Sequence, residues 1–119
     1  MLRIGVLAVG LVAIALPAVA QSGRSAGIDM AKTVGEAETL AAGCRLRLDS
    51  HVRDTLRDEA LSKINGSTLY SMERLAQAYT RNELKRDRRA SCSGALTRFG
   101  PKGTQIRHLV LARPFAPPR

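Results

Sequence analysis

Apolar residues open the chain as one charge-free run, Ile4 to Leu16, preceded by Arg3 and closed by Pro17-Ala18-Val19-Ala20. A short basic start, an apolar stretch and a small-x-small ending form the pattern that signal peptidase cuts. Residues 1–20 are therefore predicted to be a signal peptide, with Gln21 as the mature N-terminus and an exported, periplasmic or secreted, product. Ile4 to Ala20 falls short of the roughly 20 apolar residues a spanning helix needs. No later run approaches that length, so no stable membrane span is expected after processing.

Beyond the apolar run the pattern changes three times. Residues 21–33 begin with small and polar types (QSGRSAG) and read as a flexible leader. From Val34 to residue 113 the pattern fits a single small domain. Its clearest signal is Leu48, Val52, Leu56, Ala60 and Ile64, whose four-residue spacing places them on one helix face. Asp49 or Ser50 can cap that helix, and Asn65-Gly66 can stop it. Ala37, Leu40, Ala41 and Cys44 extend the stripe backwards into a short preceding helix. Arg53, Asp54, Arg57, Asp58 and Lys63 occupy the other side and read as a solvated face.

Leu69, Met72, Leu75, Ala76 and Tyr79 fit a second amphipathic helix capped by Ser67, although Glu73 to Thr80 also alternates as a strand would. Helix-forming residues favour the helix. Arg81 to Arg89 (RNELKRDRR) then reads as a charged connection. Ala90 to Phe99, a Gly100-Pro101-Lys102-Gly103 turn and Thr104 to Arg113 read as a β-hairpin. Its second strand is apolar on both faces, so one face calls for a second layer or a partner chain, such as another copy in a homo-oligomer. Pro114 ends the strand, and 114–119 is an extended tail. The expected fold class is α+β: one or two N-terminal helices packed on a C-terminal antiparallel β-hairpin or small meander, with one disulfide.

Composition supplies that disulfide. The chain has four aromatics outside the signal (Tyr70, Tyr79, Phe99, Phe115) and no tryptophan, so its core must be thin and aliphatic. In an oxidising compartment the only two cysteines, Cys44 and Cys92, permit one intramolecular pairing. No C-x-x-C motif points to redox catalysis.

Charge adds a bias in partners. Lys and Arg number 19 against 10 Asp and Glu, a formal net charge of +9, and fifteen of the basic residues are arginine. Such a surface attracts anions, and arginine forks suit carboxylates and phosphates. Arg81, Lys85, Arg86, Arg88 and Arg89 are the candidate anion-binding residues, supported by Arg98 and Lys102 nearby. Export and the lack of interleaved aromatics argue against nucleic acid, leaving an anionic envelope component or an acidic protein as partner.

No catalytic or cofactor motif is present, and no cofactor or metal is expected. His51 and His108 stand in no metal-ligand spacing, and Ser91-Cys92-Ser93-Gly94 lacks the glycine placement of a nucleophile elbow. The sequence therefore predicts a non-catalytic binding or assembly protein of the cell envelope. A secreted inhibitor or toxin-like effector is the alternative, and a small hydrolase built around His108 comes third.

Overall fold

The computed structural model describes residues 2–113, with side chains from residue 23 onward. The signal expected in residues 1–20 and the tail expected in 114–119 therefore lie outside the described side chains. Six elements follow one another: α1 (Leu2–Gly43), β1 (Leu46–Leu48), α2 (Ser50–Leu61), α3 (Gly66–Arg86), α4 (Arg88–Phe99) and β2 (Val110–Ala112). Helix α1 is the centre of the assembly, packing along α3 and against α2, α4 and β1.

This is a mostly helical fold, which overturns the α+β expectation. The expected hairpin fails at its first strand. Residues Ala90 to Phe99 lie in α4, whose N-cap Asp87 accepts a hydrogen bond from the Ala90 amide at 3.0 Å. Once that cap is made, Cys92, Ala95 and Phe99 fall at i, i+3 and i+7 and join the core. The expected second strand shrinks to Val110–Ala112 because its earlier amides are committed elsewhere. Thr104, Gln105 and Ile106 donate to the carbonyls of Thr97 and Arg98, and His108 donates to that of Gly100. The loop thus satisfies the orphan carbonyls at the end of α4. β2 pairs antiparallel with the distant β1, Leu48 opposite Val110 and Leu46 opposite Ala112.

The leader expected over 21–33 also differs: from Gly23 to Thr33 it is part of α1. Ala31 is fully buried and meets Ala60, Ile64 and Leu69, with Ile28 and Met30 packed alongside. Its small residues serve close helix packing. A Cβ on Gly35 would lie 2.3 Å from the Glu73 carbonyl oxygen, so α1 and α3 touch backbone to backbone there.

The helix expected around Leu56 and Ala60 is α2, with both residues buried and Asp49 accepting from the Val52 amide at 3.0 Å. Residues 67–80 are helical, within α3. Asn65 does not stop α2; it caps α3, accepting from the Thr68 amide at 2.8 Å, and Gly66 has no positive φ. Cys44 and Cys92 are bonded, with Cα atoms 5.5 Å apart, tying the end of α1 to α4. Closing a loop of this size contributes about 2–4 kcal/mol.

A candidate anion-binding groove

The basic run Arg81–Arg89 is not a connection. Arg81 to Arg86 form the last turns of α3, and Arg88 and Arg89 open α4, with Asp87 as the C-cap of one helix and the N-cap of the next. A single residue reverses the chain, which fixes the run on two helix surfaces.

Three of the five candidate residues come together. Arg81, Lys85 and Arg88 rim a groove of about 510 Å³ between α1 and α3. Its floor is Thr39, Ala42 and Leu84, and Gln77 and Glu38 close its far end. Gln77, Arg81 and Lys85 are spaced four apart, so they stand on one side of α3. Arg88 is held by donating to the Gly43 carbonyl, an orphan acceptor at the end of α1. A second recess shares Gly43 and Arg88 and is lined by Cys44, Cys92 and Arg45, carrying the basic rim past the disulfide. Arg45 reaches that position through a left-handed backbone, φ 56°, which ends α1.

The other candidates fall elsewhere. Arg86 turns to the opposite flank of α3 and pairs with Glu83 at 2.9 Å. Arg89 is exposed and lines no part of this groove. Arg98 does not reinforce the site either: it pairs with Glu36, donates to Gln105 and stacks 4.7 Å above the Phe99 ring. Lys102 is exposed in the loop after α4. Arg45, Gln77 and Glu38 become site residues only once 81–89 is helical. Continuing the helical spacing beyond Thr80 would have aligned Gln77 with Arg81 and Lys85.

Beside the groove lies a charged cluster that departs from the solvated face expected for α2. Arg57 crosses to α3 and donates to both oxygens of Glu73, Nε to Oε2 at 2.7 Å and Nη2 to Oε1 at 2.8 Å. Glu73 is only 3% exposed. Glu38 stands 3.9 Å from the same guanidinium, and its Oε1 is buried without a hydrogen-bond partner. Burial raises the Glu38 carboxyl above its ordinary 4.5; Arg57 opposes that, Glu73 adds to it, and Arg53 opposes it weakly. Donating to Glu73 raises the Arg57 guanidinium further above its ordinary value and holds it charged.

Chemically, the groove can hold an anionic group by guanidinium and ammonium donors above an apolar floor. Among the described residues no group of three or more His, Cys, Asp or Glu side chains could hold a metal ion, and His51 and His108 are both exposed. Among the residues whose side chains are described, no helix is long and apolar enough to cross a membrane. Comparison with protein-family models, with curated proteins and with solved structures finds no match to this chain.

Proposed function

We propose that this chain is an exported, non-catalytic binding protein of the cell envelope that captures an anionic amphiphile in the α1–α3 groove. One observation carries the reading: Arg81, Lys85 and Arg88 converge over the apolar floor of Ala42 and Leu84. A floor of that kind suits a ligand with an apolar arm, and the basic rim suits its anionic head. Export rests on the pattern of residues 1–20, and the closed Cys44–Cys92 bond accords with an oxidising compartment.

The test uses protein recovered from the envelope fraction, whose mass should match Gln21–Arg119 less two hydrogens. It is titrated with vesicles of phosphatidylglycerol and, separately, of phosphatidylcholine. Arg81→Gln/Lys85→Gln/Arg88→Gln is compared with Lys63→Gln/Lys102→Gln/Arg107→Gln. Each variant loses three positive charges, so long-range attraction falls equally in both. The groove variant should lose about tenfold or more in affinity for the anionic vesicles, while the control stays within about threefold, because only the first removes direct charge-assisted donors. Equal losses would reduce the basicity to composition.

A further inference from the structure

On the opposite flank of α3, away from the basic groove, a recess of about 230 Å³ opens between α1, α3 and α4. Its polar lining is Glu36, Tyr79, Thr80, Glu83, Ser91 and Arg98. A second recess of about 330 Å³ shares Glu36 and Tyr79 with it and continues over Leu75 and Ala76, with the Lys32 ammonium on its rim. Tyr79, 65% exposed, and Leu75, 56% exposed, present large apolar surfaces there.

Thr80 gives this recess an unsatisfied polar group. It is only 4% exposed, and its hydroxyl has no hydrogen-bond partner. A helical threonine can return its hydroxyl to the carbonyl four residues back. Thr55 does so to His51 at 2.9 Å and Thr97 to Ser93 at 3.2 Å. Thr80 does not, and a buried hydroxyl left without a partner is costly.

The charge balance of the recess selects among ligands. Glu36 pairs with Arg98 and Glu83 with Arg86, so both carboxylates are already compensated. An ammonium ligand would find no net negative charge. Each carboxylate still has lone pairs free, and Thr80 and Ser91 hydroxyls both donate and accept. Mixed donors and acceptors beside an aromatic face match a ring with neighbouring hydroxyls on its edge and C–H groups on its face. We propose that this recess binds one uncharged saccharide unit, stacked on Tyr79 and hydrogen-bonded by Thr80, Glu36 and Glu83, with Leu75 and Ala76 taking the ring's substituent or the next unit. The site is independent of the basic groove and stands or falls separately.

The experiment follows backbone amide shifts of the full oxidised protein during titration with glucose, galactose, N-acetylglucosamine and the β-1,4-linked tetramer of N-acetylglucosamine. Putrescine serves as the cationic probe. At least one saccharide should shift residues 76–83 and 91–98 together. A tetramer bound about tenfold tighter than its monomer would identify a glycan chain as the source, and equal binding would identify a free sugar. Tyr79→Ala removes only an exposed ring and leaves the fold intact. Thr80→Val keeps the packing and should raise the melting temperature while removing the donor. Each should weaken saccharide binding about tenfold, Thr80→Val by removing a buried hydrogen-bond partner and Tyr79→Ala by removing the stacking face. Retained binding in either variant, no pocket shift with any saccharide, or putrescine binding in their place would overturn the proposal.

Discussion

The two ends of the helical core are held by different means. Toward α4, Val34, Leu40, Leu84, Phe99, Leu109 and Val110 form an apolar cluster with the Cys44–Cys92 bond at its edge. Toward the start of α3, the apolar cluster is only Ala31, Ala60, Ile64 and Leu69 with its neighbours. There the helices meet through small residues, and the nearest strong contact is the Arg57–Glu73 pair. In a chain with four aromatics outside its first twenty residues, neither end buries enough apolar surface to dispense with a clamp. One clamp is covalent and local in effect. The other is a buried charge whose partner must stay.

The largest effect should come from breaking the ionic clamp. Arg57→Ala leaves the Glu73 carboxylate buried, 3% exposed, without its two donors. Stranding a buried charge costs about 3–5 kcal/mol; part-exposure of Arg57 places the expectation near the lower figure. Thermal melts of Arg57→Ala and Arg57→Ala/Glu73→Leu decide it: the second change should recover most of the loss. A single variant as stable as the parent would return Arg57 to the solvated face that the sequence pattern assigned it.

That assignment shows what spacing alone conveys. α2 was legible because its apolar residues repeat every four positions and its cap, Asp49, sits just before them. Arg57 belongs by spacing to the polar side, and nothing in the sequence signals a glutamate sixteen residues later reaching a buried position beneath it. α4 was illegible for a different reason. Its cap, Asp87, is embedded in a run of arginines, and Ser91, Ser93 and Gly94 dilute its propensity, so tertiary contacts of Ala95 and Phe99 decide its form. The small residues of 23–33 resemble a linker until a second helix is laid against them. For the site, charge marks Arg81, Lys85 and Arg88 no more than Arg86 and Arg89; the turn at Asp87 brings Arg88 beside α3, and helical phase along α3 and α4 sets Arg86 and Arg89 apart.

The covalent clamp should rank second. Cys44→Ser/Cys92→Ser removes a bond spanning 48 residues and should lower stability by about 2–4 kcal/mol. The comparison predicts where the loss appears. Amide exchange should quicken most in α4 and the β1–β2 pair, while amides of the last turn of α2 and the first turns of α3 keep more of their protection. Uniform loss of protection would mean that the two ends form one cooperative unit, and the contrast between them would dissolve.

The smallest effect concerns Glu38, which touches both the ionic clamp and the groove. Its carboxyl is raised by burial, so the folded state binds that proton more tightly than the unfolded chain does. The resulting stabilisation is fully present below the ordinary value of 4.5 and is lost as the pH rises through the raised folded value. At neutral pH the buried carboxylate is therefore a liability that Arg57, shared with Glu73, only partly offsets. Glu38→Gln imitates the protonated form at every pH. Its melting temperature should match the parent at about pH 4 and exceed it increasingly toward about pH 7, where the parent's carboxyl is ionised. The same change removes a negative charge from the end of the Arg81–Lys85–Arg88 groove, so binding of phosphatidylglycerol vesicles should strengthen over that range as well. A variant less stable than the parent at neutral pH would reverse the argument: Glu38 would then be a necessary second partner of Arg57, and the ionic clamp would be a three-membered one.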